Sequence, residues 1–190
     1  MQHKFFKTIL LVAISAAVNA QTLKPWVWDT YKLKFKAPDN LVLQKSDATI
    51  YEAGNGNMFL DIYPRQGEQL TYDGMKNSII KWAADLGLSY SDVNSDGTTQ
   101  PIYLSNLNGF WGCAIDGTKN NLPATVLVIV NSSDPTLSFY IWINYKKEYY
   151  RDAVAVLQSF TPTGGSSSTA TTHTTTPVKH KKKSGSATVF

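Results

Sequence analysis

Apolar and polar positions alternate with period two in "YKLKFK", where Tyr31, Leu33 and Phe35 interleave with Lys32, Lys34 and Lys36. That period marks a half-exposed strand, and Ala37-Pro38 ends it. Short extended segments follow, one carrying Leu41 and Leu43 and one over 48–53. After Gly54-Asn55-Gly56-Asn57 the alternation resumes, with Met58, Leu60 and Ile62 set against Phe59, Asp61 and Tyr63 until Pro64 breaks the run. A glycine loop that cradles phosphate opens a helix, whose N-terminal amides form much of the anion site. Here a strand follows, so these glycines turn a hairpin, the Asn-Gly pair tolerating the positive φ of a tight turn.

The period then lengthens. Met75, Ile79, Trp82, Ala83 and Leu86 fall on one helical stripe, with Thr71 placed to cap, Asp73 in the first turn and Gly87 to terminate, which predicts a helix over 72–86. Strands are expected over 101–104 and 110–116, and the apolar "ATVLVIV" over 124–130 reads as a strand covered on both faces. "TLSFYIWINY" places Leu137, Phe139, Ile141 and Ile143 on one face and Tyr140 and Trp142 on the other. A last helix over 147–160 is expected to bury Tyr150, Ala153, Val154 and Leu157. The turns "DGTKNNLP" and "NSSDP" suit antiparallel connections. Strands, a helix, more strands and a helix predict an α+β fold, an antiparallel β-sheet flanked by two helices.

The two ends differ from this pattern. Lys4 and Lys7 precede an apolar run over 9–18, and Val18-Asn19-Ala20 offers small residues for cleavage, so 1–20 reads as a secretory signal peptide and the chain as secreted or periplasmic. That apolar run is too short to span a bilayer, and no later segment reaches the roughly 20 apolar residues of a spanning helix, so no membrane span is expected. Residues 163–190 contain no acid and little that is large and apolar. They read as a disordered Gly/Ser/Thr-rich linker with a basic tail at Lys179, Lys181, Lys182 and Lys183. One globular domain remains, 21–162. It carries all 14 acidic residues but only 12 of the 18 Lys and Arg, a net charge of −2, which argues against a nucleic-acid partner. The tail lysines suit an anionic surface instead.

Candidate chemistry is sparse. The histidines are His3, His173 and His180, so the domain has none, which removes Ser-His-acid and Cys-His catalysis and histidine-ligated zinc from it. Cys113 is the sole cysteine, inside a strand-like segment, and reads as a buried small hydrophobe. Asp92, Asn94, Asp96 and Gly97 match the opening of a calcium loop, but Tyr103 stands where the bidentate glutamate belongs, and an Asx turn needs the same residue types. No metal and no cofactor is therefore expected. Asp61 and Asp116, each within a strand, would need a partner if buried. Two features suit ligand or surface binding. Trp26 and Trp28 share one side of an extended segment, where they either grip a ligand or cover the core. Lys32, Lys34 and Lys36 either meet an anion or guard a sheet edge.

In order along the chain, "FKAPDNL", "GNGNMFLDIYP", the single mid-chain helix, "LNGFWGCAIDG" and "YYRDAVAVLQSF" resemble the PsbP-like fold family. That family includes extrinsic photosystem proteins, a Ran-binding nuclear import factor and DcrB-type periplasmic proteins, and the signal peptide suits the exported bacterial relatives. The resemblance spans about 31–160 and implies an α/β/α sandwich with a noncatalytic binding or accessory role. It carries over no functional residue. The expected partner is a protein or envelope component. The alternative is a secreted carboxylate-dependent hydrolase, with or without calcium assisting.

Overall fold

The structure, a computed structural model, describes residues 21–90 and 101–163. The predicted signal peptide, the Asp92/Asn94/Asp96 loop and the tail with Lys179, Lys181, Lys182 and Lys183 lie outside the described residues. The fold is α+β, antiparallel sheets with two helices packed against them. The strands are β1 (Leu23–Trp28), β2 (Leu33–Pro38), β3 (Val42–Ser46), β4 (Tyr51–Gly54), β5 (Met58–Gln66), β6 (Ser89–Tyr90), β7 (Ile102–Leu107), β8 (Phe110–Lys119), β9 (Leu122–Asn131), β10 (Asp134–Tyr145) and β11 (Thr161–Pro162). Helix α1 spans Tyr72–Asp85 and α2 spans Tyr150–Leu157.

Where one sheet was expected there are two. The large sheet runs β3-β4-β5-β10-β9-β8-β6, with β7 also on β8, and the small one runs β1-β2-β11. Tight turns set the central register. Asn120 and Asn121 join β8 to β9 with φ of 52° and 64°, and Asn108-Gly109 joins β7 to β8 with φ of 52° and 95°. Positive φ at both central residues is the geometry whose twist matches paired strands. The β4–β5 hairpin turns differently from expectation, since neither Asn55 nor Gly56 takes a positive φ. The Asn55 carboxamide oxygen instead accepts the amides of Asn57 and Met58 at 2.8 and 3.0 Å. Side-chain mimicry of a backbone turn replaces the left-handed conformation.

Strand β9 is buried from Ala124 to Val130, as its unbroken apolar run predicts, because it lies between two cores. On one face Val126, Val128 and Val130 join Cys113, Ile115 and the Met75, Ile79 and Ala83 stripe of α1. On the other, Leu127 and Ile129 join Leu60, Ile62, Ile141 and residues of the small sheet and α2. The ends of α1 follow the sequence signals. The Thr71 hydroxyl accepts the Gly74 amide at 3.1 Å. Gly87 (φ 69°) closes the C-terminus, its amide on the Ala84 carbonyl and that of Leu88 on the Ala83 carbonyl. These two bonds form a Schellman motif.

Helix α2 is shorter than expected and turned. Ala153 and Val156 are buried, with Phe160 beyond the helix, whereas Tyr150 is exposed and Val154 and Leu157 only partly covered. The inward stripe is thus offset by one position, because Phe160 anchors the segment from outside the helix. No helix among the described residues is long and apolar enough to cross a membrane.

Candidate functional site

Trp26 and Trp28 do share one side of β1, and it is the inner side. Trp28 is 1% exposed, among Tyr31, Tyr51 and Phe139 at ring-centroid distances of 4.7, 5.6 and 6.5 Å. It therefore presents no face to a ligand. Trp26 is half-buried, stacked on Phe35 at 6.5 Å. The lysines also depart from expectation. Lys32 lies in the turn before β2 rather than on the strand, and β2 is the middle of its sheet, paired with β1 along its length and with β11 at Leu33 and Lys34. Lys34 and Lys36 are exposed on that sheet's outer face, Lys34 between two paired strands and Lys36 beyond the end of β11, where its amide donates to the Ser159 hydroxyl at 2.7 Å. Cys113 is fully buried, its thiol pushed up to about 12 by desolvation.

Asp116 has a partner, since the Thr125 hydroxyl donates to it at 2.5 Å. Along the pairing register, Asp116 lines up with Thr125, Ile143 and Leu60, so it shares the face of Leu60. Asp61, the next residue of β5, points to the opposite face. The two aspartates that stood out in sequence therefore cannot converge.

Asp61 belongs to a different arrangement. Helix α1 packs on β8 and β9, and its rim reaches β10 and β5 where Trp82 meets Tyr140 and Tyr63 at 5.3 and 6.0 Å. Past that rim α1 is centred on β8 and β9 rather than on β5, β4 and β3, and along this face Asp61 and Glu52 are partly buried while Phe59 and Lys45 are exposed. The cross-strand row there reads Trp142, Asp61, Glu52 and Lys45. Like charges directly opposite one another destabilise a sheet. Burial first, and Glu52 second, push the Asp61 carboxyl up to about 6. The same burial and the two carboxylates raise Tyr63. The Lys45 ammonium at the end of the row pairs with Asp47 at 3.3 Å.

The next row adds Phe59, 45% exposed, its ring lying across Gly54, where an added Cβ would come 2.5 Å from it. On the other flank Arg65 lies 5.7 Å above the Tyr140 ring, and Lys119 lies 5.4 Å above that of Trp142. The result is an open surface in which two facing carboxylates sit among aromatic rings. Carboxylate oxygens only accept hydrogen bonds, and ring faces stack on cations or apolar groups. The surface is thus equipped to receive donors and flat apolar groups. Of its residues, sequence reasoning singled out only Asp61. The outward parity of β5 also held Phe59, but nothing local to residues 51–54 signals that Glu52 faces Asp61.

No family model matches the chain, and no curated protein matches it in sequence. Among solved structures it is similar to a protein of Bacteroides thetaiotaomicron VPI-5482, determined at 1.50 Å, with a TM-score of 0.42 and 7% identity over 75% of this chain and 48% of that one. The chain spans about half the length of that protein. A likeness this distant assigns no family.

Proposed function

We propose that this chain is an exported, noncatalytic binding or accessory protein of PsbP-like fold, and that it meets a protein or envelope component on the open sheet face around Glu52, Phe59 and Asp61. One observation carries this reading: two partly buried carboxylates stand directly opposite one another, beside an exposed phenyl ring, on a sheet face away from the centre of α1 packing. Stability alone disfavours that arrangement. The leader-like N-terminus supports export, to the periplasm or the medium, and the tail lysines would add weak, salt-sensitive attachment to an anionic surface.

The test is affinity capture from envelope and secreted fractions by the mature chain. Phe59→Ala and the double variant Glu52→Gln/Asp61→Asn should each lower capture at least tenfold at high salt. Undiminished capture by both would remove this face from the reading.

The same carboxylates favour the second reading, a carboxylate-dependent hydrolase. Cross-strand neighbours have Cβ atoms about 4.5–5.5 Å apart, which puts the two carboxyls within reach of one substrate, as a carboxylate-dependent glycosidase requires. A carboxyl raised to about 6, as at Asp61, suits a general acid. Hydrolysis of a glycoside panel that Asp61→Asn abolishes without loss of fold would decide for this reading.

A further inference from the structure

Away from the open face, where the small sheet meets the β9–β10 hairpin, a cleft of about 250 Å³ opens at the surface. Its apolar walls are Tyr31, Leu137 and Pro162, and its polar groups include Lys32, Asn131 and Thr163. The surrounding backbone is held from several directions. The Asn108 carboxamide donates to the carbonyls of Gln158 and Phe160 at 2.8 and 3.3 Å, and Pro162 rests on Gly109, where an added Cβ would come 3.3 Å from its ring. The Thr163 amide donates to the Lys32 carbonyl at 2.5 Å, tying β11 to the β1–β2 turn. Lys32 itself takes a left-handed φ of 52°, uncommon for a residue with a side chain. Residues held this way recur at ligand clamps.

The polar groups have unused capacity. The Thr163 hydroxyl oxygen is shut off from solvent without a hydrogen-bond partner, which costs free energy, and it donates to a ligand once its side chain turns toward the cleft that Thr163 lines. The Asn131 oxygen accepts the Ser133 amide at 2.9 Å, which leaves the Asn131 N–H groups to donate elsewhere. Lys32 makes no ion pair among the described residues. One cation with neutral hydrogen-bonding groups matches a single negative charge. A phosphate, with nearly two charges and several strong acceptors, calls for more than one cation. At about 30 Å³ per water the space equals roughly eight waters, enough for a small organic body.

We propose that this cleft binds a small organic monocarboxylate, its charge on the Lys32 ammonium with the Thr163 hydroxyl and Asn131 amide donating, and its apolar body between Tyr31, Leu137 and Pro162. This is independent of the open sheet face. The test is an NMR titration of the mature chain with benzoate, with its neutral isostere benzamide and with inorganic phosphate. Benzoate should bind saturably, at least tenfold tighter than the other two, with shifts centred on Tyr31, Leu137 and Thr163. Lys32→Asn removes the charge while tolerating the left-handed backbone, and should weaken benzoate at least tenfold. Thr163→Val should weaken it about threefold, and Lys34→Gln, on the outer face of the same sheet, should leave it unchanged. Equal binding of benzoate and benzamide, tighter binding of phosphate, no binding at all, or an equal loss in Lys34→Gln would each overturn the proposal. If Lys32→Asn does not fold, the wild-type comparison of benzoate with benzamide decides alone.

Discussion

Asp61 opposes the stability of the fold it belongs to. Its carboxyl titrates at about 6 in the folded chain against 3.8 in the unfolded reference. Between those values the folded state binds more protons than the unfolded one, so this group's contribution falls as pH rises through the window, and the penalty is complete above it. Asp61→Asn should therefore stabilise the chain at pH 7 by about 1 kcal/mol, allowing for solvent screening of a partly buried group, and by nothing at pH 3. Urea unfolding at both pH values checks this. An equal gain at the two would dissociate the effect from titration. Trp28 gives a second residue-scale expectation, because its indole N–H is buried without a partner. Trp28→Phe deletes that orphan donor and should cost under about 2 kcal/mol, against about 3–5 kcal/mol for the cavity left by Trp28→Ala. Cys113, buried with a raised pKa, should be inert to a thiol reagent until the chain unfolds, so labelling should track the unfolding rate. Fast labelling of the native chain would contradict its place in the core.

At the scale of elements, what the sequence made legible is what local periodicity controls. The α1 stripe, its Thr71 cap and its Gly87 stop were all readable, because each signal lies within one turn of the residue it governs. Thr71→Ala should accordingly cost about 1 kcal/mol, measured by urea unfolding. Features set from further away were misread. The inward face of α2 is offset by one position because Phe160, outside the helix, takes part in the core. The β4–β5 turn satisfies its backbone through the Asn55 side chain, an option that the same four letters leave as open as positive φ. For the candidate site, the outward parity of β5 marked Asp61 and Phe59, but a pairing partner such as Glu52 cannot be read from one strand alone.

Across the whole molecule, the α+β class followed from element order, while the split into two sheets did not. β11 pairs with β2 across more than a hundred residues, and no local pattern encodes that contact. The partly exposed face arises in the same way, since α1 is centred on β8 and β9 rather than on the far strands. If that face serves binding rather than folding, Phe59→Ala should cost under about 1 kcal/mol of stability while abolishing capture, for a ring already half in solvent has little burial to lose. A loss of several kcal/mol would instead make Phe59 part of the fold's support.

The two-residue pairing of β11 has a mechanical meaning. β11 and the Thr163–Lys32 bond close the domain where the chain continues toward the tail, and they form one boundary of the cleft. Tension applied to the chain beyond Thr163 falls first on these few bonds, well before it reaches the long β8–β9–β10 ladders. Pulling would strip β11 and spread the cleft while the large sheet stayed whole. A protein anchored by its C-terminal segment would thus release a ligand in that cleft under load, its grip set by how hard the anchor is pulled.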